Sequence, residues 1–189
     1  MSAGSATRAY ANAELGVRFE IDGSFVEGPS LDPSADLPGS VRAAHLTAPG
    51  LDGEQAVLSI SRVEAGYETL PQELAEQLVI HNRFAAHAAE RNGWTIHSPW
   101  KATMLAGYPA IHCDYVVPEG AREAAAISTA ALGGEPPPGH VQAWVAYAGP
   151  LTFQVTLAVD PPGDLARNRA TIDTVVRSFE ITAERPPAV

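Results

Sequence analysis

His112, Cys113 and Asp114 stand side by side in the stretch "AGYPAIHCDYVVPEG", a base, a thiol and a carboxylate in consecutive positions. A cysteine nucleophile needs a base within hydrogen-bond reach of its sulfur. The stretch reads as a strand, and successive strand side chains take opposite faces, so His112 and Asp114 share one face and Cys113 points to the other. Cys113 is therefore expected as a small buried apolar residue. As the only cysteine it can form no intrachain disulfide and no site built from two thiols of one chain.

The preceding stretch, "WTIHSPWKATM", supplies a third candidate. If Leu105 and Ala106 make a tight hairpin loop, His97 joins His112 and Asp114 on one face, while Ile96, Ser98 and Trp100 share the other with Ile111, Cys113 and Tyr115. Two imidazoles and a carboxylate are ligands zinc accepts. His97, His112 and Asp114 are thus the candidate metal or small-molecule site, set against a plain polar sheet face with a cross-strand pair of His97 and Asp114. No residue is assigned a catalytic role and no cofactor is expected, because the sequence holds no G-x-S-x-G, G-x-x-x-x-G-K, G-x-G-x-x-G or H-E-x-x-H.

The elements that must position these groups follow from periodicity. "GVRFEID" alternates Val17, Phe19 and Ile21 with charged residues, as a half-buried strand does. "GSFVEGPSLDPSADLPGS" reads as a long loop, and "VRAAHLTA" and "EQAVLSISRVE" form a strand pair across "PGLDGE". A helix is predicted from Pro71 to Asn92, with Leu74, Leu78, His81, Ala85 and Ala88 on its packing side and Gly93 past its end. His81 is read as a core histidine, and Glu73 and Glu76 as solvated acids favoured by the helix N-terminus. "HVQAWVAYA" and "LTFQVTLAVD" make a second hairpin, and "DLARNRATIDTVVRSF" a second helix with Leu165, Ile172, Val175, Val176 and Phe179 on one stripe. Adjacent strands joined by short turns require an antiparallel sheet, and two amphipathic helices must cover it, so the class is α+β.

At 189 residues the chain is one domain in size. Residues 1–14 are expected as a flexible N-terminus, 15–182 as a single domain with an Ala- and Pro-rich insertion at 119–140, and 183–189 as a flexible tail. A formal charge of -10 disfavours nucleic acid and anionic lipid as partners. The first residues lack the basic start and apolar run of a secretory signal, and no stretch approaches the roughly 18 apolar residues of a membrane span, so the expected location is cytoplasmic.

Three local features resemble the PsbP-like superfamily: the opening "GVRFEIDGSF", the "AGYPAIHCDY" lead-in to a long strand, and "TFQVTLAVDP" followed by a helix closing on "SFEI". The resemblance spans about Gly16 to Ile181 and implies an α/β/α sandwich around an antiparallel sheet. That superfamily includes photosystem extrinsic subunits, a nuclear import factor that binds Ran, lipoproteins resembling DcrB and LpqN, and Eag chaperones of secretion effectors. The resemblance implies a non-enzymatic adaptor or chaperone for another protein, such as a secretion effector or a subunit of an assembled complex. No superfamily residue carries over by motif, and the sequence lacks a lipobox cysteine.

Candidate partner-binding residues come from the strands and the insertion. Trp144 and Gln142 point away from Val141, Val145 and Tyr147, so they lie either under a helix or on a partner-binding surface. Gln154 on the next strand and Ile127 and Leu132 in the insertion complete that set. The alternative is a small-molecule or metal-binding protein that uses the His97, His112 and Asp114 face. Sequence leaves the oligomeric state open.

Overall fold

A computed structural model describes residues 6–28, 42–49, 55–64, 71–118, 139–160, 163 and 165–183. Ten strands and two helices occur among them. Strands β1 (Thr7–Asn12) and β2 (Val17–Asp22) pair antiparallel, and β3 (Val26–Glu27) starts the edge of a larger sheet. Next come β4 (Arg42–Pro49), β5 (Gln55–Glu64), helix α1 (Pro71–Asn92), β6 (Thr95–Leu105) and β7 (Tyr108–Val117). Strands β8 (Gly139–Ala148) and β9 (Leu151–Asp160), helix α2 (Leu165–Ser178) and β10 (Glu180–Ile181) complete the described chain. The order in space is β3-β4-β5-β9-β8-β7-β6 in a seven-stranded antiparallel sheet and β1-β2-β10 in a small one.

The period-two pattern of the strands decides what each sheet face does. Leu46, Leu58, Ile60, Phe153, Val155 and Leu157 point to one face and are buried with Ile172, Val175 and Phe179 of α2 and with Tyr10, Val17, Phe19 and Ile21 of the small sheet. This is the main core, and α2 packs between β2 on one side and β8 and β9 on the other. Ala88 of α1 packs with Trp94, Cys113, Tyr115, Val141 and Ala143 on the opposite face, where α1 lies on β6 and β7. The two helices therefore sit on opposite faces and over different strands.

Residues 7–12, expected within a flexible N-terminus, form β1. "TRAYAN" carries no apolar alternation, and only Tyr10 is buried. Tyr10 packs on Phe19 with the rings tilted, its hydroxyl donates to Glu27 Oε1 at 2.7 Å, and the strand ladder to β2 supplies the rest. Burial chiefly, with the Glu27 contact, raises the Tyr10 pKa to about 12. Val26 and Glu27, expected in a loop, pair with Thr47 and Leu46 of β4.

The β6–β7 hairpin also departs from expectation. Its loop is Ala106–Gly107 rather than Leu105–Ala106, and both residues have positive φ, as a two-residue hairpin turn with the strand twist requires. Two register shifts, between Ile96 and Ser98 and between Ser98 and Lys101, then restore the expected Ile96 to Tyr115 pairing. Ser98 consequently pairs with Asp114 instead of sharing the Cys113 face. Pro99, which has no N–H for the ladder, lies inside the second irregularity. There Asn82 of α1 accepts from the Trp100 N–H at 2.9 Å and donates to the Trp100 carbonyl at 3.0 Å, satisfying the backbone of the edge strand.

Candidate functional site

Of the sequence-derived site residues, the structure commits Asp114 most firmly. It is 5% exposed on β7, and His140 Nε2 donates to its Oδ1 at 2.8 Å while Arg169 Nε donates to its Oδ2 at 2.7 Å. Asn168, next to Arg169 on α2, lies 3.3 Å from His140 Nδ1 and fits as its donor, which fixes the proton on Nε2. A buried carboxylate is thus paired on both oxygens, the condition under which burial of a charge is tolerated. Burial alone would raise its pKa; the hydrogen bonds and charges of His140 and Arg169 outweigh it and hold Asp114 at about 2.

This wiring corrects the metal reading of His97, His112 and Asp114. Both oxygens of Asp114 are spent on protein donors, and among the described residues no group of three or more His, Cys, Asp or Glu is arranged to hold a metal ion. The expected pair of His97 and Asp114 is replaced as well, because His140 takes the position beside Asp114 and His97 meets the His140 ring edge-on at 6.3 Å. His112 lies flat on Trp144 with ring centroids 4.2 Å apart, and burial is the main cause that lowers its pKa. Both partners of Asp114 were missed from sequence, lying 26 and 55 residues away. A usable signal was present: Asn168 falls on the same helical stripe as Ile172 and Val175, and a polar residue there needs a buried partner.

Cys113 is buried on the α1 face, and burial pushes its thiol well above the ordinary range, so it is protonated and inert. His81 is buried on α1 and packs on Trp100 at 4.8 Å, with its pKa lowered by burial. Trp144 and Gln142 are corrections. They are 6% and 3% exposed beneath the α2 layer, so neither presents a surface on which another protein could dock. Ile127 and Leu132 lie outside the described residues, as does all of the expected insertion except Gly139 and His140, which begin β8.

Among the described residues of the partner-binding set, Gln154 alone is partly accessible, and its surroundings define a second candidate region. It stands on the α1 face of β9, where its amide donates to Thr156 Oγ1 at 3.2 Å. By register its neighbours on that face are Ser59, Ser61 and Val57 of β5, His45 and Thr47 of β4, and Thr152 and Thr156 of β9. All are half-buried and none bears a formal charge at neutral pH, since burial lowers the His45 pKa. His45 Nδ1 and Ser59 Oγ satisfy each other at 2.9 Å.

Helix α1 lies on the same sheet face, over β6 and β7. Val79, Ile80 and Phe84 are 51%, 45% and 50% exposed on it, although they are large and apolar. Ile80 and Phe84 each lie two residues from Asn82, about 160° round the helix, and so turn away from the edge strand that Asn82 holds. The same sheet face thus carries an uncharged, hydroxyl-rich patch on β4, β5 and β9 and an exposed apolar flank on α1.

An antiparallel sheet between two helical layers defines an α+β sandwich. More particularly, the fold is PsbP-like. The solution structure of cyanobacterial PsbP (CyanoP) from Synechocystis sp. PCC 6803 matches with a TM-score of 0.55 and 15% identity over 95% of this chain and 94% of that one. The crystal structure of LpqN, involved in cell envelope biogenesis of Mycobacterium tuberculosis, matches at 0.50 and 11% over 94% and 91%. A Bacteroides thetaiotaomicron protein matches at 0.50 and 11% over 96% of this chain and 50% of that one. No family model matches the chain, and no characterised protein matches it by sequence. At these identities the likeness concerns the fold.

Proposed function

We propose that this chain is a non-enzymatic protein-binding adaptor or chaperone that receives an apolar segment of its client beside α1. The observation that carries the reading is the exposure of Ile80 and Phe84 on the flank of α1 turned away from β6, on the sheet face that also carries the uncharged patch. Large apolar residues clustered on an accessible surface are the usual mark of a protein-binding patch. Uncharged hydroxyls and Gln154 on that sheet face add hydrogen bonding without the desolvation cost of burying charge. Clients of this kind include a secreted effector or a subunit of an assembled complex. Among the described residues no helix is long and apolar enough to cross a membrane. Cytoplasmic residence is part of the proposal, and fractionation tests it: recovery in the envelope fraction overturns it.

The test is co-purification from cells that make the chain natively, comparing the full chain with its Ile80→Asp and Phe84→Asp variants. Both positions are about half exposed, so stability should fall by no more than about 1–2 kcal/mol, leaving the chain folded, while client recovery falls. A client retained by both variants, or one equally lost by a charge placed at Thr174 on α2, would contradict the reading.

A further inference from the structure

On the α2 face, the same wiring that removes the metal site leaves a surplus of one kind of group. Asp114 has spent both carboxylate oxygens, and His140 has spent both ring nitrogens. What stays unspent nearby is donor capacity. Lys101, the one lysine of the sequence, is exposed and stands directly across from His112 in the β6–β7 ladder. Arg169 uses its Nε for Asp114, and its side chain is 44% accessible. Gln142 lies across from Asp114 in the β7–β8 ladder, 97% buried, with its Nε2 amide lacking any partner.

We infer that this donor cluster on the α2 face, formed by Lys101 of β6, Gln142 of β8 and Arg169 of α2, is a binding site for a small oxyanion, the carboxylate or phosphate group of a small molecule. Lysine and arginine present donors only, and arginine's planar fork matches either group. A buried amide without an acceptor is a standing cost that an acceptor-rich ligand relieves. Of the two nearby acids, Asp114 balances the charge of Arg169 and Asp173 pairs with Arg177 at 3.6 Å, so the net positive charge left to the cluster is that of Lys101, while Arg169 still offers N–H donors beyond its Nε. His112, stacked on Trp144 and opposite Lys101 in the ladder, lies beside these donors, and burial keeps that imidazole uncharged at neutral pH, able to donate one hydrogen bond. In a chain of formal charge -10 such a concentration of donors is local and stands against the overall field. The site lies on the sheet face opposite the proposed client surface, so the two readings fail independently.

The experiment is NMR titration of the full chain with inorganic phosphate and, separately, with acetate, at constant ionic strength. The expected result is saturation with one or both anions, with shifts centred on the Arg169 Nε–H, the Gln142 side-chain amide and the His112 ring. Which anion saturates assigns the ligand's acidic group. Lys101 is exposed, so Lys101→Ala should fold normally and weaken binding about tenfold, and Lys101→Glu should abolish it. Shifts that rise without saturation for both anions, or that are unchanged in Lys101→Glu, overturn the inference.

Discussion

Helices α1 and α2 cover one sheet from opposite sides, and they cover it unequally. Under α2, Ile172 and Val175 are fully enclosed with Phe153, Val155 and the small sheet, and the outward residues of that helix are small or polar. Under α1, the longer helix, the apolar contacts come largely from the strands and from Trp94, which stacks on Tyr115 at 4.7 Å just past the helix end. Of the five large apolar residues exposed among the described residues, three lie on α1 and none on α2. A helix that fully buried its apolar surface would have no such remainder. The difference separates a side built to hold the fold from a side with apolar surface to spare.

That contrast can be broken at graded cost. Truncating Phe153, which is fully buried in the α2-side core, should cost about 3–5 kcal/mol in chemical denaturation, the largest effect expected. Gly139 comes next, with φ at 105° and its backbone against Val159, so that a Cβ would run into the Val159 carbonyl. Gly139→Ala should cost about 2–3 kcal/mol and shift the start of β8.

Asp114→Asn should cost about 2 kcal/mol at neutral pH. The sign is set by the direction of the shift: the folded pKa, about 2, lies below the ordinary aspartate value of 3.8. The stabilisation is therefore full above pH 4 and lost as pH falls from 4 to 2. Acid unfolding followed by circular dichroism should show this loss in the wild type and a flatter profile over that window in Asp114→Asn. The smallest effect on stability belongs to α1. Phe84→Ala should change unfolding free energy by less than about 1 kcal/mol, because half of its surface already faces water. An equal cost for Phe84 and Phe153 would erase the proposed asymmetry.

Much of this architecture was legible as periodicity. Val17, Phe19 and Ile21, the alternation along β9, and the His81 and Ala88 side of α1 gave strands, helix and buried faces correctly. Cys113 was separable from His112 and Asp114 by strand alternation alone, and the structure keeps them on opposite faces. β1 was not legible, since one buried tyrosine makes no pattern and its partner β2 supplies the order. The β6 irregularities were hidden because two one-residue shifts in the same sense together offset the displaced loop, leaving the far end in its expected register. The chemistry around Asp114 was least accessible, because it depends on which turn of α2 lies over β7 and β8. Periodicity gives the stripe of a helix, while its position along the sheet is set by packing of the whole core.

The docking surface is tested most directly by a photocrosslinking side chain placed at Phe84, at Gln154 and, as a control, at Thr174 on α2. Irradiation in native cells should join one and the same protein to positions 84 and 154, and excess wild-type chain should compete it away, while position 174 captures none of it. Capture that is equal at all three positions, or different proteins at 84 and 154, would contradict the assignment of this face to a client.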